Sequence, residues 1–249
     1  MNRETIAKAP RVLYEDADLL VLNKPAGLLM HGDRRHQGEP TLLAWALEYL
    51  QGSGFVSDFA PAFVHRLDRE TSGVTILAKS KRALQSLNRQ LKLKKIQKEY
   101  RALLIGEIRP RGSIRLHLQK QMDRERWLAL MVPVRRGGIY AQTDYQRLAL
   151  CEHGGVKLSY VQAQPRTGRT HQLRAHFAAI GSPIVGDDLY GISEINERFR
   201  KELGVTRMLL HASAIEFAHP TTQRTVRVAA PLPEDFESVL RRLALEFIC

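Results

Sequence analysis

His65-Arg66-Leu67-Asp68-Arg69-Glu70-Thr71-Ser72-Gly73 is the stretch around which the chain organises. It stands between a Gly- and Ser-containing loop, residues 51–61, and a continuous apolar run, residues 74–78, that reads as a strand buried on both faces. One carboxylate, Asp68, lies between two guanidinium groups and close to two hydroxyls. A carboxylate held ionised by a neighbouring cation is a poised nucleophile or base. The same residues also read as a tight turn begun by Asp68 with Arg66 and Arg69 in solvent, because ion pairs perturb carboxylates without catalysis too. On the residues alone, both readings stand.

Upstream, residues 12–14 and 19–22 read as short strands around the polar turn Glu15-Asp16-Ala17-Asp18, and Asn23-Lys24-Pro25-Ala26-Gly27 follows as a loop. Thr41 caps a predicted helix that runs to residue 50. Downstream, Ser80 caps a second helix to residue 93, with Leu84, Leu87 and Leu91 on one stripe and Lys81, Arg82, Gln85, Arg89 and Lys92 opposite. Strand-like pieces follow at residues 100–105, 113–118, 127–132, 143–148 and 156–164. Thr170 opens a helix closed by Gly181, its core stripe Leu173, Phe177 and Ile180. Residues 208–217 and 225–229 flank a hairpin turn, and a last helix covers 234–247. Many strands with irregularly placed helices predict an α+β fold: a central mixed, mostly antiparallel sheet with flanking helices. The expected organisation is a tail, residues 1–10, and a single domain, residues 11–249. No glycine pattern has phosphate-loop spacing, so a doubly wound nucleotide-binding fold is excluded.

With 44% hydrophobic and 26% charged residues among 249, the chain has the composition of a folded domain rather than a disordered one. No apolar stretch approaches the roughly 18 to 20 residues of a membrane span, and residues 1–10 lack the apolar run of a secretory signal. Cys151 and Cys249 are too few and too far apart for a disulfide framework or zinc ribbon, which points to a reducing cytosol. A net charge of +12 attracts polyanions, RNA or DNA first, although a basic enzyme with a solvated surface has the same balance. Aromatics at 7% argue against a simple single-strand stacking platform.

The block 65–73 resembles the H-R-L-D-x-x-T-S-G signature of the RluA family of RNA pseudouridine synthases. Four further stretches are similar to that family's elements and lie in its order. They are Asn23-Lys24-Pro25-Ala26-Gly27-Leu28, Arg166-Thr167-Gly168-Arg169-Thr170-His171-Gln172-Leu173-Arg174-Ala175-His176, Gly186-Asp187-Asp188-Leu189-Tyr190-Gly191 and Leu210-His211-Ala212. Together they cover residues 12–231.

The resemblance implies one catalytic domain with a central mixed sheet and a basic cleft. It also implies isomerisation of uridine in RNA, in which the N1–C1′ bond is broken and a C5–C1′ bond made, with neither cofactor nor metal. It makes Asp68 the catalytic residue, either attacking C1′ or removing the C2′ proton, with Arg174 as its ion-pair partner. Tyr100 is placed against the target base, Arg66 in the space left by the extruded uridine and Leu210 beneath the base; His65, Thr71 and Lys24 fall on the substrate-binding side. Large-subunit ribosomal RNA is the first expected substrate and transfer RNA the next, for a cytoplasmic monomer. On the residues alone, Arg174 also reads as a phosphate contact, and Tyr100 and Leu210 read as core. The competing functions are a silent RNA-binding protein on this scaffold and a glycoside hydrolase. The latter needs two carboxylates, and Glu70 is the only acid near Asp68.

Many members of that family carry an N-terminal S4-type domain, and about ten residues before the first strand are too few for one. The expectation is therefore a catalytic domain that works without it, or a piece that begins there. Nine histidines raise a metal reading that their spacing opposes. His171 and His176 lie about 140° apart on a helix, and His31 and His36 have no Cys or Glu at ligand spacing. His65 and His171 are expected instead to hold the motif loops by hydrogen bonds. Cys151-Glu152-His153 is no thiol-protease signature. The basic stretch 92–98, with Arg82 and Arg89, is a candidate RNA-backbone track, and Arg124, Arg126, Arg135 and Arg136 are weaker ones.

Overall fold

Both predicted caps form in the computed structural model of the chain, which describes residues 9–32, 38–123 and 128–245. Thr41 Oγ1 accepts from the Ala44 amide at 3.1 Å at the head of α1 (Leu42–Gly52), and Ser80 Oγ from that of Ala83 at 3.1 Å at the head of α2 (Lys81–Lys92). Such hydroxyls satisfy amides that the first helical turn leaves without partners. The chain forms two compact units, one of Met1–Lys98 with Ala212–Pro231, the other of Glu99–His211 with Leu232–Cys249. His36, Arg124, Arg126 and Cys249 lie outside the described residues.

In the first unit, β1 (Arg11–Glu15) and β2 (Leu19–Lys24) form the expected hairpin, closed by Asp16, whose Oδ1 accepts from the amides of Asp18 and Leu19. β2 pairs antiparallel with β4 (Ser72–Ala78), from Leu19 opposite Ala78 to Lys24 opposite Gly73. The two-residue β3 (Ala62–Phe63) adds to β4. β10 (Leu210–Ala218) neighbours β4 and pairs antiparallel with β11 (Thr225–Ala229). Every residue of β4 is buried, as its unbroken apolar run predicts.

α2 is rotated from its predicted stripe: it buries Ala83, Leu87 and Gln90, while Leu84 and Leu91 are only partly covered. The reason is Gln90, whose amide donates to the Ala218 carbonyl (2.8 Å) and accepts from the Ala218 amide (2.9 Å), pairing both polar groups of that backbone residue.

In the second unit, five strands lie in the order β5-β9-β8-β6-β7, each neighbouring pair antiparallel. They are β5 (Gln97–Ile105), β6 (Arg111–Asp123), β7 (Leu128–Val134), β8 (Ile139–His153) and β9 (Val156–Pro165). β6 and β8 run well past their predicted ends: backbone pairing carries β6 through the polar stretch Gln119-Lys120-Gln121, and β8 stays paired over Ile139–Gln142 and Ala149–His153. Pro133 is tolerated in β7 because that strand ends the order and pairs on one side.

Leu103, Tyr160, Phe199, Phe236 and Leu240 anchor the core under α4 (Ser193–Leu203) and α5 (Glu234–Arg242). α4 is not among the predicted elements; it starts at Ile192 without a side-chain cap, though Phe199 and Leu203 do recur at helical spacing. α3 (Gln172–Ala179) starts later than predicted because His171 is left-handed (φ 50°), and Ile180 lies past its end, 41% exposed instead of in the core. α5 ends at Arg242, short of the predicted residue 247.

The fold class is α+β, as predicted. Among the described residues no helix is long and apolar enough to cross a membrane.

Gly73 sets how closely β4 can approach β10. Its φ is +117°, and a Cβ there would stand 2.2 Å from the Ala212 carbonyl oxygen. Gly73→Ala is expected to lower unfolding free energy by about 3 kcal/mol from strained φ and overpacking together. Urea denaturation checks this, and an unchanged midpoint would contradict so close an approach.

Candidate active site

In the first unit, the Asp68 loop is held from below. Val64 and Leu67 are buried, Val64 donates its amide to Ile76 (2.9 Å), and the Thr71 amide returns to the Asp68 carbonyl (3.1 Å) to close a turn. Asp68 is left partly exposed at the head of that turn, with Arg66 exposed and Thr71 and Ser72 buried behind it. The tight-turn reading is therefore right about the backbone, and the turn itself presents the carboxylate. Arg69 is not simply solvated: its guanidinium meets Glu39 at 2.9 Å and the Gly27 carbonyl at 3.0 Å.

Beneath the turn lies Lys24, fully buried, whose ammonium donates to the carbonyls of Pro25 (2.9 Å), Leu28 (2.8 Å) and Arg69 (2.8 Å). The Gly27 amide adds a bond to the Arg69 carbonyl at 2.9 Å. Lys24 and Thr71, expected on the substrate-binding side, thus sit inside the loop support. His65 corrects an expectation: both ring nitrogens are buried and make no hydrogen bond among the described residues, so the ring holds its loop by packing. Burial, and secondarily the positive charge of Lys98, push its pKa down to about 3. Burial also lowers that of Lys98.

The second unit contains Arg174, Tyr100 and Leu210, all buried. Arg174, on α3, donates through Nε and Nη2 to the two oxygens of Asp187 at 2.7 and 2.8 Å, its side chain 8% exposed and that of Asp187 0%. Asp187 Oδ1 also accepts from the amides of Leu189 (2.9 Å) and Tyr190 (3.1 Å). The Tyr190 ring lies 5.1 Å from the Arg174 guanidinium carbon, and its hydroxyl accepts from the Met131 amide (2.8 Å) and meets His171 Nδ1 (3.1 Å). His171 therefore does make the loop-holding bond expected of it.

Gln172 ties the preceding loop to β8. It accepts from Thr167 Oγ1 (2.6 Å) and the Arg169 amide (3.1 Å), and donates to the Gln142 carbonyl (2.9 Å) and Thr143 Oγ1 (3.0 Å). His176 Nδ1 meets the same threonine oxygen at 3.0 Å, and burial lowers its pKa to about 4. Asp187 and Gln172 are absent from the residues expected by sequence, although both lie inside the matched stretches. Their signal was a buried-type position filled by a polar residue, which only a known neighbour makes readable. Among the described residues, no three His, Cys, Asp or Glu side chains gather as a metal site would require.

A family model described as RNA pseudouridylate synthase matches residues 18–179. The chain is 38% identical over 240 residues to ribosomal large subunit pseudouridine synthase C of Yersinia pestis, covering 95% of this chain and 70% of that protein. It is 36% identical over 245 residues to the protein of the same name from Escherichia coli K12, covering 97% and 72%. Among solved structures, human RNA pseudouridylate synthase domain containing 1 superposes with a TM-score of 0.71 at 31% identity, over 90% of this chain and 84% of that one. Human RNA pseudouridylate synthase domain containing 4 gives 0.74 at 26% identity, over 94% and 92%.

Two measurements test this geometry. Asp187→Asn leaves the Arg174 guanidinium buried beside a neutral amide, and a loss of about 3 to 5 kcal/mol of stability is expected; a variant as stable as the parent would show that the ion pair is not what holds the guanidinium. Because His176 titrates near 4 folded and near 6.5 unfolded, the unfolded chain binds the extra proton between those values. Stability therefore falls as pH drops through this window. His176→Gln should show a shallower fall in urea midpoint between pH 6.5 and 4 than the parent, and parallel curves would refute the assignment.

Proposed function

Because the chain belongs to the RNA pseudouridylate synthase family, we propose that it converts uridine to pseudouridine at defined positions of large-subunit ribosomal RNA. The observation that carries this substrate is likeness along nearly the whole chain to proteins named as ribosomal large subunit pseudouridine synthases. The net charge of +12 supports a polyanionic partner. Action as a cytoplasmic monomer belongs to the same proposal; what supports the compartment is a cysteine content suited to a reducing one.

The reaction is an isomerisation: uracil leaves C1′ through N1 and returns through C5, C5 gives up its proton and the freed N1 takes one up, so the formula is unchanged. It needs a carboxylate at the ribose, and Asp68, presented at the head of its turn, is the residue we assign, as nucleophile at C1′ or base at C2′. Arg174 is assigned as the ion-pair partner of that carboxylate, a role suited to a guanidinium fixed in orientation. A guanidinium already clamped by Asp187 reaches such a role with little conformational freedom left to lose. Tyr100 is assigned to the target base and its proton movement, and Leu210 to the base's underside. Arg66, exposed beside Asp68, is assigned to the space vacated when the uridine leaves its stack, an extrusion costing a few kcal/mol. Lys24, Thr71 and His65 are assigned to substrate binding through the loop they support.

The test is a pseudouridine map of ribosomal and transfer RNA from a strain lacking this protein, before and after adding the purified chain or its Asp68→Asn form. The expected result is pseudouridine at a defined large-subunit position with the parent and none with Asp68→Asn, whose RNA affinity stays within a few fold because phosphate contacts dominate it. Modification confined to transfer RNA would overturn the substrate, and turnover by Asp68→Asn would overturn the catalytic assignment.

A further inference from the structure

Residues 81–98 contain seven cations, Lys81, Arg82, Arg89, Lys92, Lys94, Lys95 and Lys98, and no acid. Like charges at helical spacing repel and weaken a helix, and α2 has no carboxylate of its own to relieve them. Within the first unit, part of this charge lines a cavity of about 650 Å³ between α2 and the β10–β11 hairpin. One wall presents Arg82, Gln85 and Arg89, one helical turn apart, with Lys95 beyond the helix end; Glu216 and Gln223 face them from the hairpin.

Three properties define what this cavity can hold. Arg89 and Lys95 are exposed and make no ion pair among the described residues, and Arg82, hydrogen-bonded to Thr221, has Asp18 only at 4.0 Å. Three cations against one carboxylate therefore select an anion. The amide of Gln85 and the hydroxyl of Ser86, also on the wall, add donors and acceptors suited to phosphate oxygens and ribose hydroxyls. Phe217, the only aromatic there, is buried, so the cavity offers no platform for stacking a base.

We propose that this groove is an RNA-backbone site that holds phosphodiesters of the substrate outside the target nucleotide. This rests on the RNA-modifying reading above. It contributes affinity without base selection, since phosphate contacts position an RNA and do not read its sequence.

The experiment compares the parent, Arg89→Gln/Lys95→Gln, and a control, Arg200→Gln/Arg241→Gln, whose guanidiniums already face Asp188 and Glu234. Dissociation constants for a large-subunit ribosomal RNA fragment are measured across salt concentrations, with kcat and KM at one of them. Removing one cation from a phosphate flattens the log–log salt slope by about 0.7 to 0.9. The groove pair is therefore expected to flatten it by about 1.5, raising KM several-fold and leaving kcat within about twofold, while the control follows the parent. An unchanged slope in the groove pair, or an equal change in the control, overturns the proposal. Failure of the RNA-modifying reading shows separately, as no pseudouridine formed in ribosomal RNA by the unmutated chain, and the slope comparison on that RNA still decides the groove.

Discussion

The ammonium of Lys24 is fully buried, and the loops of the first unit take their shape from that fact. Removing such a group from water costs several kcal/mol unless acceptors replace the hydration shell, and three backbone carbonyls do so here. Two of them belong to the Pro25–Leu28 loop and the third to Arg69, so neither loop can open without stranding a buried charge. Lys24 also stands opposite Gly73 in the β2–β4 register. The turn that carries Asp68 thus enters β4 at the point where β2 ends, and the same residue governs both ends of the loop. A carboxylate on a surface loop gains in this way the fixed position that catalysis requires.

The second unit solves a similar problem with an ion pair. α3 has only eight residues, too short to be stable through helix propensity, and Gln172 to Phe177 are all buried. Its stability comes from tertiary bonds made by three polar side chains that a short helix would ordinarily expose. Gln172 fills all its hydrogen-bonding positions on the loop and β8, His176 reaches Thr143, and Arg174 closes on Asp187. A buried pair of this kind adds little net stability against an apolar replacement. Its consequence is directional, since the guanidinium is held in one orientation.

Charge is distributed unevenly over the surface. On and beside α4 and α5, basic residues are matched by acids: Arg200 with Asp188, Arg207 with Asp235, Arg241 with Glu234. The exposed pairs among them, Arg200–Asp188 and Arg241–Glu234, contribute little to stability, but all three cancel the long-range field of those helices. α2 and the residues after it, through residue 98, hold no acid of their own, and among the described residues Asp18 at 4.0 Å from Arg82 compensates only part of their charge, so that side of the first unit keeps a positive excess.

What neighbours along the chain decide is legible in the residues. Thr41 and Ser80 cap helices three residues on, Asp16 closes its own hairpin, and the apolar run of β4 declares a strand covered on both faces, because each signal is complete within one turn or one strand. A signal that needs a distant partner is not legible along the chain. Gln90 displaced a leucine stripe because its amide meets Ala218, 128 positions away. His65 makes no hydrogen bond among the described residues although both its ring nitrogens are buried, and α4 begins with no capping side chain to announce it. The fold alone brings Lys24 onto Arg69, 45 positions on, and Arg174 onto Asp187. The physical reason is that a buried charge is placed by whichever acceptors the fold brings to it, and those lie in other segments of the chain.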